Sequence, residues 1–267
     1  MQFKAIRFNT KSNPEFFSEL RNRVNAYFED NKISPNANAM MVFKTIFMVS
    51  LYFIPLIYLL VGGVESLSLM FLMWILMGFG MAGIGLSIMH DANHGAYSKN
   101  KNINNALGLL LNSVGGYHVN WKIQHNVLHH SFTNIFGYDE DIEKAILRLT
   151  PDQPHRPFHR FQIFYAPLLY SIMTFYWVVS KDFEQLVRYN KKGLYKGQGL
   201  SYRRAIFETV LTKVLYFIAT LVLPILILPF AWWQVFLGFL TMHFIGGMIL
   251  ALIFQPAHVS EDTQFFI

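Results

Sequence analysis

The chain has 267 residues, of which 53% are hydrophobic and 14% charged, with a net charge of +6 and no cysteine. Soluble domains carry about 25% charged residues, so an ordinary soluble fold is excluded. Without cysteine there is no disulfide, thiolate metal site or thiol catalysis.

Residues 1–38 open the chain as a polar, partly helical arm. Its start, "MQFKAIRFNTKSNPEFF", has no apolar core of the kind a cleaved secretory signal needs. A charge-free run follows over 45–61, with Lys44 placed to snorkel to the headgroups, and predicts a first span over 43–62. A second run predicts a span over 67–89. It contains "GFGMAGIG", where Gly78, Gly80, Ala82, Gly83 and Gly85 allow close helix packing. A groove holding an acyl chain against bare backbone is the functional alternative at these glycines. Residues 105–117 are too short to cross and are expected at the surface or as a re-entrant piece. Residues 161–180 are long enough to cross but are expected to lie in the interface, with Tyr165, Tyr170, Tyr176 and Trp177 suited to that level. The last run, 214–254, holds 41 residues, enough for two crossings at about 20 residues each. Spans over 210–229 and 232–254, turning at "LPFAWWQ", are predicted from it.

The expectation is therefore an all-α integral membrane protein: a 1–38 arm and a 39–267 membrane domain. Four transmembrane helices form two hairpins, and a cytosolic or interfacial helical cap spans 90–205. Lysine and arginine set the orientation. Seven lie in residues 1–44, fourteen in 90–204, and the last is Lys213 at the inner mouth of the third span. All of them fit on one side, taken as cytoplasmic. The pI of 9.4 then reflects a basic inner face for anionic lipid or an acidic partner protein, with no need of nucleic acid.

Five of the ten histidines lie in two short stretches, "HDANH" (90–94) and "HNVLHH" (125–130). On an α-helix, residues four apart are separated by about 6 Å of rise and about 40° of rotation. His90 and His94 are therefore expected to point the same way, as are His125 and His129, with His130 adding a neighbouring ligand. Imidazole suits iron, zinc, copper or nickel. Asp91 and Asn126 are placed to accept the second ring N–H of a ligating histidine. His258 leaves the fourth span at the same face and is a further candidate. His243, inside that span, is expected in a helix-to-helix hydrogen bond, and His118 beside the approach to the site. His155 and His159 are expected at the surface. The trio Asp139, Glu140 and Asp141 is expected as a solvated turn away from the metal.

"HDANH", then "HNVLHHSFTN" followed by "GYDEDI", resembles the first two histidine boxes of membrane fatty acid desaturases, and "FQPAHVSED" resembles the segment leaving their fourth span. The likeness runs from about Lys44 to the last residue and is nearest the acyl-CoA or acyl-lipid branch related to linoleoyl-CoA desaturases. It implies a non-haem centre of two iron ions held by His90, His94, His125, His129 and His130, with His258 as an additional ligand. It also implies dioxygen as co-substrate and a cis double bond introduced into a fatty acyl-CoA or acyl-lipid. The family's third box, Gln- or His-x-x-His-His, does not occur in these residues, so the chain is expected to be a C-terminally truncated piece with an incomplete site. The family's fused b-type cytochrome, with its His-Pro-Gly-Gly motif, is likewise not among them, so electrons are expected from a separate ferredoxin or b-type cytochrome.

Three rivals stand beside this expectation. Lipid hydroxylation or ketolation could use the same scaffold. A zinc protease would need His-Glu-x-x-His, where this chain has Asp91. A non-enzymatic membrane metal-binding protein would need ionisable groups lining a path through the spans.

Overall fold

In the computed structural model, residues 6, 8, 15–142, 146–259 and 263–266 are described, the side chain of His258 excepted. Phe16–Asp30 forms α1, exposed along nearly its whole length. Ala39–Val61 forms α2, started by the Asn38 side chain, which accepts from the N–H of Met41 at 2.9 Å. Leu67–Asn93 forms α3, with Ser66 as its capping residue. Such caps satisfy amide donors that the first helical turn leaves unpaired. Lys101–Gly108 forms α4 and His118–Lys122 forms α5. Pro157–Ser171 (α6) and Met173–Lys192 (α7) form a pair bent by 56°. Tyr202–Ile227 (α8) and Trp232–His258 (α9) close the order. Single turns at Leu110–Ser113 and Leu194–Gly197 complete the described helices.

Four of these helices, α2, α3, α8 and α9, are long and apolar enough to cross a membrane. The chain is an all-helical, multi-pass membrane protein. Each helix begins or ends some residues away from its charge-free run, because a helix continues past the bilayer edge as long as its backbone bonds hold. The largest extension is at α8, which starts at Tyr202 rather than 210 and carries Arg203, Arg204 and Glu208 into its first turns.

The bundle is built around α3, which packs against both α2 and α9. Glycine permits the approach. A Cβ on Gly80 would stand 2.6 Å from the backbone nitrogen of Tyr52 in α2, and one on Gly78 would stand 2.9 Å from the carbonyl of Met242 in α9. The small residues thus serve helix contact, as expected. Trp74, Tyr52, Met77 and Phe239 fill the resulting core. A second core joins Tyr117, Ile123, Leu128, Tyr189 and Tyr195.

His243 lies 1% exposed inside α9 and makes the expected hydrogen bonds between helices. Its Nε2 receives the Tyr216 hydroxyl at 2.8 Å, and its Nδ1–H is given to Thr174 Oγ1 at 3.0 Å. Thr174 in turn donates to the His243 carbonyl at 2.9 Å. These bonds bring the bent α6–α7 pair to the middle of α9, about 16 Å along the helix from Trp232 at 1.5 Å per residue.

Candidate metal centre

The two histidine stretches sit where helical geometry changes. α3 passes through a π-helical turn over Ile84–Ile88 just before His90, and α5 continues as a π-helical turn over Ile123–His129. π turns inside α-helices are frequent at functional sites. In the second stretch the N–H of His130 bonds the carbonyl of His125 at 2.9 Å, five residues back. The π turn brings His130 Nε2 to His125 as well, while His129 keeps the expected place beside His125.

His90, His94, His125 and His130 converge. His90 Nε2 is 3.1 Å from His125 Nε2, and His130 Nε2 is 3.2 Å from the same atom. The rings of His94 and His130 stand 4.8 Å apart, and those of His90 and His94 4.6 Å. His90, His94 and His125 each bring a nitrogen within 4.8 Å of the others. Trp121 lies against this cluster, its ring centroid 4.5 Å from that of His125.

The donor set fits a metal ion. Two nitrogens each about 2.1 Å from one ion lie about 3.0 Å apart when they meet it at right angles, which is the observed spacing. Tautomers point the same way. With His90 Nδ1–H given to Asp91 Oδ1 at 3.1 Å, the tautomer that this bond selects presents Nε2 as a bare lone pair. Hydrogen bonding alone cannot settle this arrangement, because His125 Nε2 has one proton at most for two neighbouring nitrogens. Three of the four rings also favour the neutral form. Burial, then the neighbouring imidazoles, lowers His94 to about 4 and His125 to about 3, against partial opposition from nearby aspartates. His130 is lowered by the same causes.

His129 stacks on His125, with centroids 5.4 Å apart and an interplanar angle of 14°. Its Nδ1 bonds both oxygens of Asp139, at 3.1 and 3.0 Å. Burial acts against its charged form, but the Asp139 bond and the charges of Asp139 and Asp141 outweigh it and raise its pKa. Asp139 is fully buried and also accepts from the N–H groups of Asn134 and Asp141. The acidic stretch is therefore not the solvated turn expected of it. Asp139 and Asp141 join His129 as a second group able to hold a metal. Of the two expected supporting residues, Asp91 bonds a histidine, whereas Asn126 donates to the carbonyl of Asn93 at 3.0 Å and bonds no ring. The His258 side chain lies outside the described residues.

The remaining histidines are elsewhere. His118 Nδ1 bonds Asn112 Oδ1 at 3.1 Å, and burial, aided by Lys122, lowers it to about 4. The described residues do not place it on the cavity wall. His159 is on an exposed turn, where its Nδ1 accepts from the N–H of Arg156.

An apolar cavity of about 130 Å³, open on one side, begins at the histidine cluster. His125, Gln124 and Asp141 form its polar end, and Met81, Val178 and Thr174 lie on its walls among the spans. Gly85 lines it too, so one glycine of the α3 stretch faces the cavity as well as α9.

The family model for fatty acid desaturases matches residues 65–265. The chain is 31% identical to the sn-1 linoleoyl-lipid 6-desaturase of Arthrospira platensis, over 94% of this chain and 67% of that protein. It is 32% identical to the enzyme of the same name from Synechocystis, over 98% of this chain and 72% of the relative. The acyl-lipid (8-3)-desaturase of Physcomitrium patens is 31% identical over 98% of this chain, which spans 54% of that protein. No solved structure matches.

Proposed function

The chain belongs to the fatty acid desaturase family, and from that premise we propose that it removes two hydrogens from an acyl-lipid chain and leaves a cis double bond. The observation that carries this is the cavity: a mainly apolar space among membrane helices that ends on His125. An acyl chain fills such a space at little cost, because it leaves one apolar medium for another. The proposed metal is a pair of iron ions, held by His90, His94, His125, His129 and His130, with His258 as a further ligand. When bound, the iron supplies the reductive activation of dioxygen and the hydrogen abstraction.

This chain's residues have four tasks. Asp91 and Asp139 hold His90 and His129 in the tautomer that presents Nε2, and such partners are worth about 10- to 100-fold in metal affinity. Met81, Val178 and Thr174 keep the acyl chain away from water. Gln124, held between Asp141 at 2.5 Å and Gln185 at 2.6 Å, forms part of the cavity's polar end. The distribution of basic residues supports a cytoplasmic side for the N-terminal arm and the histidines, where the lipid headgroup stays. Oxidation of –CH2–CH2– to –CH=CH– yields two electrons and two protons, whereas reduction of dioxygen to two waters takes four of each. Two electrons must therefore come from an external donor and two protons from water.

The test is expression of this chain in a host that makes no polyunsaturated lipid, supplied with linoleoyl lipid, followed by mass spectrometry of the fatty acids. A new acyl species lighter by two hydrogens is expected. A species heavier by one oxygen, or no change in the fatty acids, would overturn the proposal.

A further inference from the structure

The second histidine stretch is tied to a segment that lies beyond α9. There the N–H of Phe266 donates to the carbonyl of Asn134 at 2.9 Å, and the N–H of Phe136 donates to the carbonyl of Phe266 at 2.8 Å. The two bonds make a parallel bridge between Ile135 and Phe266, in a chain whose described residues are otherwise helix and turn. Resting on the metal centre of the desaturase reading, we propose that residues 263–266 are a strap that positions this centre. By pinning Asn134 they hold the Asp139 carboxylate behind His129, so the seating of this segment and the affinity for metal rise and fall together.

Two observations carry the proposal. The first is that Asn134 links the strap to the site. Its backbone is left-handed, with φ at 60°. A residue with a Cβ adopts that conformation at a cost, although asparagine tolerates it better than most. In it, the Asn134 N–H donates to Asp139 Oδ2 at 2.9 Å while the carbonyl takes the N–H of Phe266. The other oxygen of Asp139 accepts from the N–H of Asp141 at 3.0 Å. A fully buried carboxylate is thus placed by main-chain donors at both ends of one turn, and one of those ends is pinned by the strap. His129 Nδ1, bonded to both oxygens, follows wherever that carboxylate sits. A carboxylate behind a metal-binding imidazole fixes the orientation of the ring.

The second observation is what the strap does not do. Phe266 and Phe136 are 55% and 41% exposed, so their pairing adds little to the apolar core. Its content is two backbone bonds beside the metal centre. The turn's other backbone bonds, from Ile135 to Phe132 and from Asp139 to Ile135, are internal to it. They close the turn without tying it to the end of α9, and the strap supplies that tie.

The experiment uses the full 267-residue chain in phosphatidylcholine nanodiscs, with Co2+ as a spectroscopic probe of the site. Hydrogen exchange of the peptide 132–142 is followed by mass spectrometry in the same samples. Phe266→Pro removes the N–H that Asn134 accepts, whereas Phe266→Ala keeps both backbone bonds. The proline variant is expected to bind Co2+ about tenfold more weakly or worse and to exchange faster in this peptide, while the alanine variant matches the wild type in both. A second pair decides the matter should the proline variant fail to fold. Asn134→Val opposes the left-handed backbone and should behave like Phe266→Pro. Asn134→Gly accepts that backbone and should match the wild type, since Asn134 Oδ1 has no hydrogen-bond partner among the described residues. Wild-type Co2+ affinity in Phe266→Pro and Asn134→Val would overturn the proposal, and so would equal losses in the alanine and proline variants. Failure of the wild type itself to bind Co2+ would count against the metal centre, while exchange would still decide whether the strap holds Asp139.

Discussion

His125→Ala is expected to reduce product to below about 1% of the wild-type amount and to lower bound iron in the same preparation. His125 Nε2 is the atom on which the others converge, with His90 and His130 nitrogens 3.1 and 3.2 Å away. Removing it deletes the shared neighbour and opens the cluster to the cavity that it bounds. Asp139→Asn tests the same centre through its support. It keeps the shape but removes the charge behind His129 Nδ1, and a 10- to 100-fold loss of metal affinity is expected. Iron determination with fatty acid analysis checks both variants. Wild-type iron and product in His125→Ala would remove this histidine from the centre.

Lys213→Met is expected to cost about 3–5 kcal/mol of stability, and thus to lower the melting temperature by about 10 °C. Lys213 and Asp182 form an ion pair at 2.5 Å with side-chain exposures of 5% and 0%. Asp182 also accepts from the N–H of Tyr117, from Asn120 Nδ2 and from Trp177 Nε1. Lys213 donates in addition to the carbonyl of Gly115. One carboxylate therefore holds the start of α5, α7 and α8 together. Removing the lysine leaves a buried charge with no counter-ion. Replacing both, as Lys213→Met with Asp182→Leu, should cost less than the single change, because no lone charge remains. Thermal unfolding in detergent separates these cases. A single variant that melts with the wild type would show that the pair does not hold the cap.

The spans were legible because each depends on a local property, a long run without charge. The first two histidines were legible for a similar reason: His90 and His94 lie on α-helical backbone, where a spacing of four places two rings side by side. The close approach of His130 to His125 was not legible, because the spacing rule assumes an α-helix. The π turn brings residues five apart together as well, and nothing in "IQHNVLHH" marks it. Asp139 was missed for a different reason. Three consecutive acids look like a solvated turn, and only tertiary packing shows that Asp139 is drawn under His129 while Glu140 pairs with Arg188. Its one trace in the sequence is "GYDEDI", so close behind the second box. Asn126 shows the converse error, a polar neighbour well placed in sequence whose amide is taken by the carbonyl of Asn93.

The most direct test is the metal itself, measured in the 267-residue chain purified in mild detergent from cells supplied with both iron and zinc. Iron bound in at least equal number to the chain, and lost when His90, His94 or His125 is replaced by alanine, is the predicted result. Zinc as the resident metal, or no metal above background, would contradict an iron centre on these histidines.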